Sequence, residues 1–255
     1  MSEISGISGN SYSVYQALAS GSRLNSAADG AAELTQAQEM TAETTGYDVG
    51  TKNMQMGQSV LNISASALQT VTDSLQRIRE LAVSASNTAV LTDADRQSIQ
   101  DEIEQMKRNI TDVTDNTSYN GKKLLDGSND QMNIETGSGG KTLTMAKSSL
   151  EELGIADFDV TGDFDLSVID RAIDQVSQSR SSIGAQSNTL DYAINYNSNA
   201  SYQLTSATSK LEDLDYPEAI SEQKKQQTLQ NYSMMMQKKQ QESEENRINK
   251  LLGGI

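Results

Sequence analysis

Three separated stretches of this chain carry apolar residues at heptad spacing, and that repeat restricts the fold more than any other feature. In the first, Met54, Leu61, Leu68, Leu75 and Ala82 lie on one line, with Val71, Ile78 and Ala85 on a second line three residues later. In the second, Ile99, Ile103, Met106, Ile110 and Val113 recur at steps of four and three. The third runs through Ile169, Val176, Ile183, Leu190, Asn197, Leu204 and Leu211, flanked by Ala172, Ala193, Ala200, Ala207 and Leu214. Such spacing is the seam of a coiled coil, in which each helix needs a partner helix to cover its stripe. Small residues on the flanking line of the third stretch allow close approach. The polar Asn197 fixes register at some cost in stability.

Composition agrees with narrow seams rather than a wide core. Only 35% of the residues are hydrophobic, with two Phe, no Trp and a single Pro. The expected fold is therefore mainly α: an elongated antiparallel coiled-coil helical bundle with a small β-hairpin insert. A net charge of −15 repels a nucleic-acid backbone or an anionic membrane face, so neither is expected as a partner. No apolar run approaches the roughly 20 residues that span a bilayer. The first residues lack the basic and apolar parts of a secretory signal.

The chain has no Cys and no His, which excludes disulfides, thiolate and histidine-based catalysis, and the usual zinc sites. No enzyme activity and no cofactor or metal is expected. Two motifs only imitate ligand sites. Gly137 to Thr142 resembles the end of a phosphate loop, but Glu135 stands where its first Gly belongs, and a hairpin turn is the better reading. Asp157 to Asp165 resembles a Ca²⁺ loop, but Val168 occupies the place of the bidentate Glu; a solvated acidic loop is the default.

In chain order, residues 1–30 read as an amino-terminal segment and connector, with one or two helical turns at Ser13 to Leu18 and a Gly/Ser/Asn-rich stretch after Ser20. Residues 31–115 read as a helical hairpin. Its second helix opens on a capping box, Thr92 with Asp95. Residues 116–165 form the β insert, with turns at Asn120-Gly121 and Asp126-Gly127, and with Met132 and Ile134 alternating against Lys141 to Met145. Residues 166–216 are the third long helix, which Pro217 ends or kinks, and 217–255 form a charged, poorly patterned helix.

On the hairpin, Arg77 projects away from the Leu75/Ile78 seam, and Leu81 lies one turn further on, between that face and the seam. Leu81 then reads either as a contact with the folded-back helix 93–113 or, with Arg77, as part of a partner-facing surface. Both readings can hold together.

Five pieces in order resemble bacterial flagellin: Ser20-Gly21-Ser22-Arg23-Leu24-Asn25-Ser26-Ala27-Ala28-Asp29, Leu75-Gln76-Arg77-Ile78-Arg79-Glu80-Leu81-Ala82-Val83, Ser98-Ile99-Gln100-Asp101-Glu102-Ile103, Tyr119-Asn120-Gly121-Lys122-Lys123-Leu124-Leu125 and Arg180-Ser181-Ser182-Ile183-Gly184-Ala185-Gln186. The resemblance implies a structural subunit of an extracellular filament, exported through the flagellar type III apparatus. Its partners would be other copies of itself, an export chaperone and cap proteins, and its terminal segments would pair on assembly. In flagellins detected by Toll-like receptor 5, an Arg, a Leu and a Glu on two antiparallel helices form the contact; by motif these fall on Arg77, Leu81 and Glu102. The chain resembles a minimal version without variable outer domains. It departs from the family in a short segment before Ser20 and in the charges from Lys238 to Lys250. Those departures keep a second reading open: a secreted, non-polymerising flagellin-like ligand of the innate receptor, or a hook–filament junction accessory.

Overall fold

The computed structural model describes residues 12–87 and 89–252, without the side chains of 249–252. The expectations for residues 1–11 and for the final Gly253-Gly254-Ile255 lie outside the described residues. In order, the elements are α1 (described over 12–20), α2 (Ala27–Ala85), α3 (Asp93–Asn116), β1 (Ser118–Tyr119), β2 (Lys122–Lys123), β3 (Gln131–Glu135), β4 (Gly140–Thr144), α4 (Ser167–Glu212) and α5 (Tyr216–Leu252). The chain divides into two compact units, one of residues 45–201 and one formed by the two flanking segments.

In the 45–201 unit the heptad lines become the core. Met54, Leu61, Leu68, Val71, Leu75, Ile78, Ala82 and Ala85 are all fully buried, so both lines of α2 face inward. Cross-links fix the helix directions. Arg77 pairs with Glu102, and Asn109 reaches back to Ser74, so α3 runs antiparallel to α2. On the other side Arg79 meets Asp170, Gln58 meets Asp191 and Ser201 meets Asp48, so α4 is antiparallel to α2 as well. Ile169, Val176, Ile183 and Leu190 of α4 complete the core together with Ile103 and Ile110 of α3.

Helix α3 departs from the expected pattern. Ile99, Met106 and Val113, expected in the seam, are only half-buried, whereas Gln100, Lys107 and Thr114 are buried. The reason is the loop between Ile155 and Gly162, which packs over that face with its backbone polar groups inward. Gln100 accepts from the Val160 amide at 2.9 Å. Arg96 donates to the carbonyls of Val160 and Gly162 at 2.8 and 2.7 Å. Lys107 sits within 3.5 Å of the Phe158 carbonyl and is neutralised by Glu104 at 2.7 Å. Buried carbonyls need donors, so polar side chains displace apolar ones there.

The β insert is two hairpins. The β1–β2 turn is Asn120-Gly121, both at positive φ, the backbone that an Asn-Gly turn supplies. Strands β3 and β4 pair from Gln131–Thr144 to Glu135–Gly140, and the phosphate-loop look-alike is their turn. That turn lies on α2 at a row of glycines that the heptad reading did not single out. A Cβ on Gly50 would stand 2.0 Å from the Thr136 carbonyl oxygen, and one on Gly137 would stand 2.3 Å from the Gly46 carbonyl oxygen. Gly57 receives the Ile134 side chain in the same way.

In the other unit the connector is not a slack linker. It caps the end of α4: the Arg23 amide donates to Glu212 O at 2.6 Å, the Arg23 guanidinium to Leu211 O at 2.8 Å, and Leu214 N to Gly21 O at 3.0 Å. Two of the carbonyls that a helix end leaves open, those of Leu211 and Glu212, are thereby satisfied. The helix accordingly stops at Glu212, four residues before the expected 216, and Pro217 sits in the first turn of α5, where its missing amide costs little. Leu204 and Leu211, expected in the seam, are half-buried here. Among the described residues of this unit the buried apolar side chains are Leu24, Ala37 and Ala219, too small a set to enclose two leucines.

The Thr92/Asp95 capping box forms as expected, with both reciprocal bonds present. The same device recurs. Asp29, Asp95, Asp126, Asp159 and Asp165 each accept from a nearby Ser or Thr hydroxyl and backbone amide, and these bonds, the hydroxyl's first, hold each carboxyl below its usual range. A depressed folded value contributes stability that is complete above the unfolded value and is lost as pH falls through the folded one. The urea midpoint should therefore be flat near neutrality and begin to fall only below about pH 4. A decline starting near neutrality would contradict this.

Candidate functional site

The sequence-predicted site residues lie on the α2/α3 hairpin, and the structure brings two of them into direct contact. The Arg77 guanidinium donates through Nε and Nη2 to Glu102 Oε1 at 2.9 and 2.7 Å, and through Nη1 to Glu80 Oε2 at 3.0 Å. These bonds, the one to Glu102 foremost, raise the Arg77 pKa further above its ordinary value, so the group is a permanent cation held in a fixed orientation. Its side chain remains 47% exposed, so the network adds little to stability and stays accessible from solvent. Glu80 was not singled out from sequence. Its place three residues after Arg77 on one helix face was the available signal.

Leu81 stands one turn beyond Arg77 but points inward. It keeps 7% of its surface and belongs to the core cluster with Ile78, Ala82 and Ile103. The site therefore offers a charged triad above a small apolar edge. On the far side of α2, Arg79 is tied to Asp170 of α4 at 2.6 Å. Nothing here is arranged for bond-making. Among the described residues no three acidic side chains converge on a point, and Asp159 and Asp165 of the Ca²⁺-loop look-alike are engaged by Thr161 and Ser167. Among the described residues no helix is long and apolar enough to cross a membrane.

Residues 1–130 match the bacterial flagellin N-terminal helical region and residues 166–251 the bacterial flagellin C-terminal helical region. This chain belongs to the flagellin family. It is 32% identical over 274 residues to flagellin of Bacillus subtilis strain 168, covering 92% of this chain and 90% of that protein. Flagellin of Halalkalibacterium halodurans is 33% identical over 214 residues, covering 80% and 78%. Among solved structures, Bacillus cereus flagellin superposes with a TM-score of 0.52 at 25% identity, covering 57% of this chain and 88% of that one. Only residues 131–165 separate the two family regions, so this flagellin is compact and lacks the outer domain. It is a structural subunit of the extracellular flagellar filament, not an enzyme, and it assembles with copies of itself through its helical segments.

Proposed function

We propose that α1 with the residues before it, and α5, are the assembly segments of this filament subunit, and that the Arg77/Leu81/Glu102 surface is the contact for Toll-like receptor 5 in the free monomer. The observation supporting the last role is the 2.7 Å pairing of Arg77 with Glu102 across two antiparallel helices, which presents both side chains of the family motif together. The same reading includes export through the flagellar type III route, with a dedicated chaperone and a filament cap; membership of the flagellin family supports it. The charges on α5 must each find partners when subunits pack, since an unpaired buried charge is costly.

Seeding is the direct test of assembly: purified protein is added to filament fragments and elongation is followed by electron microscopy. Growth is the expected result, and a persistent monomer would sink the assembly role. For the receptor surface, Arg77→Ala should lower the potency of the monomer in a receptor reporter assay by about tenfold or more, as loss of a central charged contact does. The urea midpoint should barely move, because the network is exposed. Equal potency of Arg77→Ala and wild type would remove Arg77 from the contact.

A further inference from the structure

Helix α5 carries an apolar surface made largely of thioether. Leu229, Tyr232 and Met236 follow at steps of three and four, on one stripe of the helix, and all three are exposed. Met234 and Met235 extend that surface, since three consecutive residues sweep about 200° of a helix. Their exposures are 58%, 71% and 44% for Met234, Met235 and Met236. The other surrounding positions, Gln230, Asn231, Ser233, Gln237, Lys238 and Lys239, are polar, so only Leu229 and Tyr232 share this surface with the three methionines. The other described methionines are better protected except one: Met54 and Met145 are buried, Met40, Met106 and Met132 half-buried, and Met56 exposed.

We propose that Met234-Met235-Met236 is an oxidant-responsive modification site through which peroxide-class oxidants suppress addition of the subunit to its own filament. The proposal rests on the reading of α5 as an assembly segment. In the step itself a sulfur lone pair attacks one oxygen of hydrogen peroxide, the O–O bond breaks and an S–O bond forms. The leaving hydroxide takes the proton of the newly sulfur-bound hydroxyl, giving water and the neutral sulfoxide; the sulfur is oxidised by two electrons and the peroxide reduced by two. The product sulfoxide is a strong hydrogen-bond acceptor on a side chain that had been flexible and apolar. Burying it against a second copy of α5 requires stripping that acceptor of water, which disfavours docking. The change is reversible by the two epimer-specific sulfoxide reductases. A helix already docked covers its thioethers, so the free monomer is the sensitive form.

The test uses the full-length monomer, dilute hydrogen peroxide, peptide mapping by mass spectrometry and seeded elongation. Sulfoxide is expected at Met234, Met235, Met236 and Met56 well before Met54 and Met145. Elongation of the oxidised wild type should fall about tenfold or more, the effect of losing a few apolar group contacts. A Met234→Leu/Met235→Leu/Met236→Leu variant should elongate before and after peroxide alike to within about twofold, whereas Met56→Leu should remain sensitive. The proposal is overturned if the triplet is oxidised and the wild type still elongates at its untreated rate, or if the triple variant is inhibited as the wild type is. Should the untreated wild type and triple variant both fail to elongate, the assembly reading of α5 falls, and the proposal, which needs it, falls with it. The mapping then still decides the chemistry: triplet oxidation lagging behind Met106 or Met132 rejects the site on its own.

Discussion

Gly50→Ala should destabilise the 45–201 unit by about 2–4 kcal/mol, although alanine is the better helix former by about 1 kcal/mol. The cause is local and identifiable. Gly50 lies inside α2, and its missing Cβ leaves the space taken by the Thr136 carbonyl carbon and oxygen, 2.2 and 2.0 Å from where that atom would be, and by the Gly137 amide nitrogen at 2.7 Å. These are backbone atoms of a tight turn, so they cannot rotate aside as a side-chain tip would. Either the turn lifts from α2, uncovering Ile134 and Leu143, or the helix bends. Gly184→Ala supplies the control within the same unit, because α4 has nothing within 4 Å of a Cβ at that position. There the substitution should raise stability by about 0.5–1 kcal/mol. Urea unfolding followed by circular dichroism, with hydrogen exchange at the β3–β4 amides, reads both. Equal stability of Gly50→Ala and wild type would mean that the hairpin does not rest on α2.

The contrast between those two glycines marks what could be read from the chain. Helix periodicity was legible because burial on a seam is a one-dimensional property: every residue on the two α2 lines is fully buried. Turn chemistry was legible for the same reason, in Asn120-Gly121 and in the Thr92/Asp95 box. What escaped depends on a second segment arriving from far along the chain. Gly46, Gly50 and Gly57 share a face, yet only the arrival of Thr136 and Ile134 makes that face a seat. Gln100 and Lys107 outrank Ile99 and Met106 in burial only because the carbonyls of Phe158 to Gly162 lie above them. The connector at Gly21 to Arg23 likewise reads as loose until the open carbonyls of α4 are placed beside it. At the candidate site Arg77 and Glu102 were legible through their motifs. The inward aim of Leu81 and the participation of Glu80 needed the fold.

Asn197 is where a legible exception and an illegible partner meet. It occupies a heptad position that would ordinarily be apolar, it is buried, and its amide donates to Thr136 O at 2.7 Å and Tyr47 O at 3.3 Å. One side chain thus holds the hairpin turn and α2 in a single register with α4. Asn197→Leu leaves the Thr136 carbonyl without its Asn197 donor, while the Tyr47 carbonyl keeps its place in the α2 ladder, and should cost about 1–3 kcal/mol in urea unfolding. Because Gly50→Ala displaces the same Thr136 carbonyl, the double variant should lose less than the two single losses added, by about 1 kcal/mol or more. Additive losses would show that the two residues do not act on one turn. Asn197→Asp separates the hydrogen bonds from the shape. A carboxylate facing two carbonyl oxygens disfavours ionisation, so folding would raise its pKa. The sign of the linkage then reverses relative to the capping aspartates: the destabilisation is absent well below about pH 4, where the acid is protonated in both states, and grows as pH rises above the unfolded value. A variant whose loss relative to wild type is the same at pH 4 and pH 7 would place Asn197 in a hydrated site, and its role in setting the register of α4 would have to be abandoned.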